Sequence, residues 1–362
     1  MQQCFFRKRK KVKKSATDSA IALLESSGKL SAAEWFAVLH ALDAVDSEVL
    51  AAKAREAASR HFGNRVYVRA LIEISSFCRN NCRYCGLRCG NSFAVRYRLT
   101  KEQILECCDN AAQAGFNTFV LQGGDDPMMG DEWLAGVVSA IKACYPGKAV
   151  TLSVGERTAS GYAMLRDVGV DRYLLRHETA DERHYSHLHP SFMNLASRKQ
   201  CLFTLKELGY QVGSGMMIGS PGQTRECLAQ DLALLDELQP QMIGIGPFIP
   251  AKGTPFECEP AGSAGDTLRL LSLLRLRFPR ALIPATTALA TLLHDGTERG
   301  ILSGANVVMP NMTLLDVRGK YTIYDNKKIS GSESAEQLPL LSERLEKIGY
   351  VIDFSRGDYD AM

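Results

Sequence analysis

The stretch Phe77-Cys78-Arg79-Asn80-Asn81-Cys82-Arg83-Tyr84-Cys85-Gly86-Leu87-Arg88-Cys89 packs four cysteines into twelve residues. Just before it, Val66–Ile74 reads as a β-strand, so the cysteines begin at a strand's C-terminal end. In barrels of parallel strands that end carries the chemistry. The first three cysteines are spaced C-x3-C-x2-C. Three thiolates on one short loop suit three irons of a cubane cluster. The fourth iron then keeps an open position, as catalytic metal sites do. A structural zinc site would want four closed ligands, usually two C-x2-C pairs separated by a longer span, and no second pair follows. A redox C-x2-C would want the helix N-terminus of a thioredoxin-like unit.

Outward from the cluster, strand and helix signals alternate. Further strands are predicted at Thr118–Gln122, Ala149–Val154, Arg172–Arg176, Gln211–Met217, Met242–Ile245, Ala281–Ala285 and Ala305–Met309. Amphipathic stretches fall between them: Lys101–Ala114, Asp131–Tyr145, Ala159–Val168, Asn194–Leu208, Thr224–Leu238, Ala264–Phe278 and Ala288–Leu302. Gly115, Gly169, Gly209 and Gly304 sit where helix C-caps are expected. Eight such units over about 250 residues match a (β/α)8 barrel of the TIM type, an α/β fold. Periodicity alone leaves a doubly wound open sheet as a rival. Residues 18–64 read as an N-terminal helical segment, with Ser31 and Glu34 placed for a capping box. The barrel is expected over 65–312. A C-terminal segment, 313–362, holds a helix at Leu338–Ile348 and an extended Tyr350–Phe354, and is expected to cap one barrel end.

Composition narrows the class. At 46% hydrophobic and 23% charged over 362 residues, the chain is ordinary globular protein. Its net charge of +3 owes much to the run Arg7–Lys14 in a basic tail, residues 1–17, read as a solvated extension. Neither a membrane nor a nucleic-acid partner is expected: no apolar run spans a bilayer, and no aromatic-studded basic surface follows the tail. With no secretory signal, the expected place is the cytoplasm, or an organellar matrix if the source is eukaryotic. An odd count of eleven cysteines argues against a disulfide framework. The scattered ones are read as small packing residues.

The motif C-x3-C-x2-C with an aromatic, Tyr84, before its last cysteine resembles the signature of radical S-adenosylmethionine (SAM) enzymes. The likeness extends through Cys85–Arg88, Val120–Pro127, Asp171–Thr179, Gly244–Pro250, Ile283–Ala288 and Gly304–Asn311. These blocks resemble the HydE family, the radical SAM maturases of [FeFe]-hydrogenase, from about residue 62 to the C-terminus. The methylornithine synthase PylB and biotin synthase are relatives. Phe62–Val66 and Cys89 look somewhat like PylB. No cysteine lies on a predicted strand after the first, which counts against sulfur insertion of the biotin synthase kind.

The resemblance implies that Cys78, Cys82 and Cys85 ligate a [4Fe–4S] cluster whose open iron binds SAM. A fourth ligand would block SAM, so Cys89 is expected to stay free. It implies reductive cleavage of SAM to methionine and a 5′-deoxyadenosyl radical. That radical would act on an organoiron–cysteinate precursor of the hydrogenase two-iron subcluster. The implied partners are that small molecule, a one-electron reductant and other hydrogenase maturation proteins. Gln122, Gly123 and Gly124 are expected along SAM's methionine amino group, the glycines permitting close approach. Glu156 is expected at the ribose hydroxyls, Arg176 at SAM's carboxylate, and Glu178 as the group that orients Arg176. Thr286, Thr287, Met309, Tyr321 and Tyr324 are expected on the substrate side. Met216, Met217 and Pro221–Thr224 carry only a weak adenine assignment. His177, His184, His187 and His189 fit no tight metal spacing and are read as solvated loop residues.

The sequence departs from the family at one place. Many HydE chains carry a second cluster on C-x7-C-x2-C, and those positions fall here on Ile329, Gln337 and Leu340. One cluster per chain is therefore expected. Two other functions remain in play: a carbon-skeleton mutase of the PylB type, and a non-catalytic scaffold that delivers metal to a partner.

Overall fold

The computed structural model describes residues 19–26, 28–43, 45–327 and 337–360. Arg65–Val68 (β1) and Ala70–Ser75 (β2) make the first stave of a barrel. Then come β3 (Thr118–Gly123), β4 (Ala149–Ser153), β5 (Arg172–Leu174) and β6 (Gln211–Ser214). After them come β7 (Met217–Ile218), β8 (Met242–Ile243), β9 (Gly246–Pro247), β10 (Val307–Val308) and β11 (Val351–Asp353). One sheet runs β2-β3-β4-β5-β6-β8, all parallel. Single parallel bridges close the ring: Met242 to Leu282, Pro284 to Val307, and Leu71 to Asn311. The expected (β/α)8 barrel is what forms.

The structure departs from expectation in four places. The first stave breaks at Arg69, whose guanidinium turns inward. The expected strand Gln211–Met217 breaks after Ser214 and resumes at Met217, and the expected Met242–Ile245 ends at Ile243, with a further strand at Gly246–Pro247. At the split an added Cβ on Gly215 would overlap the Gly244 carbonyl, so the two backbones touch where a ladder would hold them apart. Ala281–Ala285 contributes bridges but no ladder. The expected helix Ala288–Leu302 is two, Thr287–Leu292 and Gly296–Leu302, joined by a corner that presses Gly296 onto Leu289.

Outside the barrel, Ala32–Leu42 begins with the full capping box: Ser31 and Glu34 satisfy each other's backbone N–H groups. Trp35 of this helix is fully buried and donates 2.8 Å to Asp236. Ser47–Phe62 packs on Ala264–Arg277. The C-terminal segment divides between the barrel's two ends. Tyr321 and Tyr324 lie at the cysteine end, while β11 pairs in parallel with β1 at the opposite end. There the floor is sealed by fully buried Arg172, which bonds Thr118 (3.2 Å), Gln211 (3.2 Å), the Arg356 carbonyl (2.8 Å) and Asp358 (2.5 Å). The basic tail and Ile329 lie outside the described residues. No helix among the described residues is long and apolar enough to cross a membrane.

Candidate active site

A cavity of about 290 Å3 opens at the C-terminal ends of the strands. Cys78, Cys82 and Cys85 line it, brought there by the loop after β2. All three are free thiols and half-buried. Burial pushes every one of them up, and the neighbouring thiols add to it; Cys85 is pushed up to about 12. Left alone, this trio holds its protons. A cationic group between them is what makes three thiolates affordable here. Among the described residues no three His, Cys, Asp or Glu side chains converge on a single ion. Each thiol of a cubane has its own iron, so the donor set fits a cluster better than it fits zinc.

The loop is held firmly. Arg79 N–H donates to the Asp125 carbonyl (2.8 Å) and its side chain pairs with the Asp125 carboxylate (2.9 Å). Arg96 donates to the carbonyls of Ser76 (2.5 Å), Leu87 (2.9 Å) and Arg88 (2.7 Å). Gly124 N–H donates to the Ser75 carbonyl (3.1 Å), and a Cβ there would overlap the Phe77 carbonyl. The space that Gly124 leaves beside the Phe77 carbonyl is filled by the cysteine loop, so this glycine also lets that loop pack closely. Gln122, Gly123 and Gly124 nonetheless line the cavity.

Across from the cysteines, Arg176 and Glu178 line the wall. Their charged ends lie 2.9 Å apart but are misaligned for a hydrogen bond. Arg176 Nε and Nη2 and Glu178 Oε2 are buried without hydrogen-bond partners. Such orphans are rare in native proteins unless a ligand completes them. A ligand bearing both an ammonium and a carboxylate, as SAM's methionine end does, fits this mixed pair. Glu178 also holds a left-handed backbone, φ +63°, the kind of strain that clusters at functional sites.

Several residues went unseen in the sequence. Arg198 lines the cavity, is buried, bonds Glu156 at 2.5 Å and also donates to the Arg176 carbonyl. It lies in the helix Leu195–Glu207, and only the folded contact with Glu156 and the Arg176 carbonyl separates it from a surface arginine. Behind Tyr321, Lys327 pairs with fully buried Glu73 and donates 3.1 Å to the Tyr321 carbonyl. Gln122 reaches the Tyr321 hydroxyl at 3.4 Å. Thr286, Tyr321 and Tyr324 line the cavity, but Thr287, Met309 and Glu156 do not. Met309 packs instead on the apolar cluster that includes Phe62, Tyr67, Met242 and Val307. Thr287 starts a helix and Glu156 is taken up by Arg198. Met217 lines the cavity, whereas Met216 is fully buried packing.

The histidines are a correction. His177, His184 and His189 are buried, not solvated. His177 Nδ1 meets Ser214 Oγ at 2.9 Å, and His189 stacks on Tyr185. Burial pushes His177 and His189 each down to about 3, so both are neutral structural groups. Cys89 is exposed and off the cavity wall.

Comparison with known proteins agrees with this geometry. Residues 72–235 match the Radical SAM superfamily. The chain is 42% identical over 303 residues to the [FeFe] hydrogenase maturase subunit HydE of Thermotoga maritima, covering 84% of this chain and 86% of that one. It is 31% identical to 3-methylornithine synthase of Methanosarcina acetivorans, over 70% of this chain and 72% of that one. The crystal structure of methylornithine synthase (PylB) superposes with a TM-score of 0.76 at 26% identity, covering 93% of this chain and 97% of that one. A cysteine loop at the mouth of a (β/α)8 barrel, with likeness across most of the chain, makes this a radical SAM enzyme of the HydE family.

Proposed function

We propose that the chain is a hydrogenase maturase of the HydE type, which cleaves SAM reductively to act on an organoiron–cysteinate precursor of the two-iron subcluster. The observation that carries this is the meeting of three free thiols and the orphaned Arg176–Glu178 pair in one cavity. Cys78, Cys82 and Cys85 each hold one iron of a single [4Fe–4S] cluster. When bound, that cluster and SAM supply the electron and the 5′-deoxyadenosyl radical. The chain's own work is binding and orientation. Arg176 and Arg198 present guanidinium forks for SAM's carboxylate, and Glu178 accepts its ammonium. Glu156 acts through Arg198, which it fixes by an ion pair. Gln122, Gly123 and Gly124 form the edge along the methionine chain. Thr286, Tyr321 and Tyr324 form the substrate wall, where phenols can hydrogen-bond an anionic ligand and their rings exclude water.

The test has two arms. Anaerobically reconstituted protein with SAM and dithionite should yield 5′-deoxyadenosine and methionine. Added to a maturation mixture that lacks this component, it should restore hydrogenase activity. The likeness to methylornithine synthase favours one rival reading, and turnover of lysine by the same preparation would establish it. Cluster binding with no SAM cleavage would leave only a metal-delivery scaffold.

A further inference from the structure

Behind the Arg176–Glu178 wall lie two titratable side chains that are fully buried, His177 and Asp231. His177 Nε2 and Asp231 Oδ1 are 3.8 Å apart, too far for a hydrogen bond. His177 Nε2 and Asp231 Oδ2 have no hydrogen-bond partner. Buried polar groups are rarely left in this state without a reason in the fold or the chemistry. The backbone between them supplies one. Thr179 N–H donates to the His177 carbonyl at 2.8 Å, closing a tight turn with Glu178 at its centre. Glu178 sits there at φ +63°, a conformation that side chains other than glycine avoid and that lasts only where neighbours impose it.

Ties from two sides impose it here. From the barrel, the Gly215 carbonyl accepts from Glu178 N–H (3.1 Å), and Ser214 Oγ meets His177 Nδ1 (2.9 Å). From the helix Arg225–Leu238, Asp231 Oδ1 accepts from Ala180 N–H at 2.5 Å. The proton positions follow from the donors. Ser214 spends its own hydrogen on the Leu175 carbonyl (3.1 Å), so His177 Nδ1 must be the donor to Ser214. His177 Nε2 is then a bare lone pair on the side of Asp231. Burial raises the Asp231 carboxyl well above its ordinary range, which favours the protonated acid. A neutral acid can accept from Ala180 N–H with one oxygen and offer its O–H to His177 with the other.

We infer that Asp231 is a positioning residue for SAM: from the helix behind the wall it fixes the His177–Ala180 turn, so that Glu178 meets the ammonium and Arg176 the carboxylate of the methionine end. The inference rests on the SAM reading of the cavity. Asp231 does not line the cavity and touches no ligand itself. It acts through the backbone of Ala180 and the ring of His177, which bracket Glu178 in the chain. Without those ties the turn is free to leave its left-handed state, and the Glu178 carboxylate leaves its place beside Arg176.

The test titrates reconstituted full-length protein with SAM by calorimetry, with cluster absorbance and urea denaturation measured on each sample. Asp231→Ala frees Ala180 and should weaken SAM binding by about tenfold or more while the cluster absorbance stays. Asp231→Asn keeps an oxygen for Ala180 N–H and an N–H for His177, so its SAM affinity should lie within about twofold of the parent's. His177→Phe leaves the Ala180 tie intact and cuts the other, and should weaken SAM binding severalfold. A cycle with Glu178→Gln separates positioning from plain stability. If Asp231 acts through Glu178, Asp231→Ala should cost little further SAM affinity in the Glu178→Gln background, yet lower urea stability there as much as in the parent. Parent-like affinity in both Asp231→Ala and His177→Phe would overturn the inference. So would affinity losses that multiply in the cycle, or an Asp231→Asn variant as weak as Asp231→Ala. No SAM binding by the reconstituted parent would instead sink the SAM reading itself.

Discussion

Cys89 stands one short turn beyond the third thiol, yet it points to solvent while the other three face the cavity. Its N–H donates to the Asn80 carbonyl at 2.9 Å, which fixes it outside the wall. A Cys89→Ala variant is expected to keep both the cluster's visible absorbance and SAM cleavage, whereas Cys78→Ala, Cys82→Ala and Cys85→Ala each lose both. Loss of absorbance in Cys89→Ala would show a fourth ligand. The wall opposite invites a second substitution. Arg176→Lys keeps the charge but gives up the planar fork, so SAM binding should weaken by about 1–3 kcal/mol. Calorimetric titration with SAM checks this; an unchanged affinity removes Arg176 from the site. These residues differ in how far the sequence reveals them. The thiols form a local spacing with its own chemistry, and Arg176 ends a readable strand. Arg198 gains its place only when the helix Leu195–Glu207 folds back over Glu156, a contact between segments 42 residues apart. Met309 misleads for the converse reason: it ends the right strand, but its side chain packs inward on Tyr67 and Val307.

Among the elements, the parallel staves were legible because each is a short apolar run followed by a helical stretch. Asn194 and Thr224, read in the sequence as the first residues of their helices, prove to be the N-caps, their side chains accepting from Ser197 and Cys227 N–H. What stayed hidden is where staves break. Gly215, at φ +156°, lies against Gly244, and only the folded pair shows why Gly215 must lack a side chain: an added Cβ would overlap the Gly244 carbonyl. The C-terminal segment was the least legible, since its pieces serve opposite ends of the barrel. Its helix, Leu338–Lys347, buries Leu341 and Leu345 while Leu340 stays exposed. Neither Gln337 nor Leu340 offers a thiolate, and Ile329, outside the described residues, has none either. Iron and sulfide analysis of reconstituted protein should therefore give about four of each per chain. A value near eight would mean a second cluster held elsewhere.

At the scale of the whole molecule, stability and chemistry are assigned to opposite ends of one barrel, as is usual for this architecture. The mouth carries an ion pair, Arg176–Glu178, whose buried atoms lack hydrogen bonds; the floor carries Arg172 and Asp358, hydrogen-bonded to each other and to their neighbours. Asp358 exemplifies the floor. Burial works to raise its carboxyl, but the hydrogen bond from Arg356 and the charge of Arg172 outweigh this and hold it down to about 2. A carboxylate held below its ordinary range stabilises the fold above about pH 4 and loses that contribution as pH falls through its folded value. Asp358 is partly exposed, so solvent screening reduces the effect. Asp358→Asn is accordingly expected to lower stability by about 1–2 kcal/mol near neutral pH, with parent and variant converging as pH falls from about 4 toward 2. Urea denaturation across that range measures it. SAM affinity in Asp358→Asn should equal the parent's, because the partners of Asp358, Arg172, Gln211 and Arg356, do not line the cavity. Arg176→Lys should show the reverse, weaker SAM binding with stability unchanged, since its guanidinium leaves no hydrogen bond behind at Nε or Nη2. If Asp358→Asn weakened SAM binding as much as it lowered stability, the two ends would be coupled and this division of labour would be wrong.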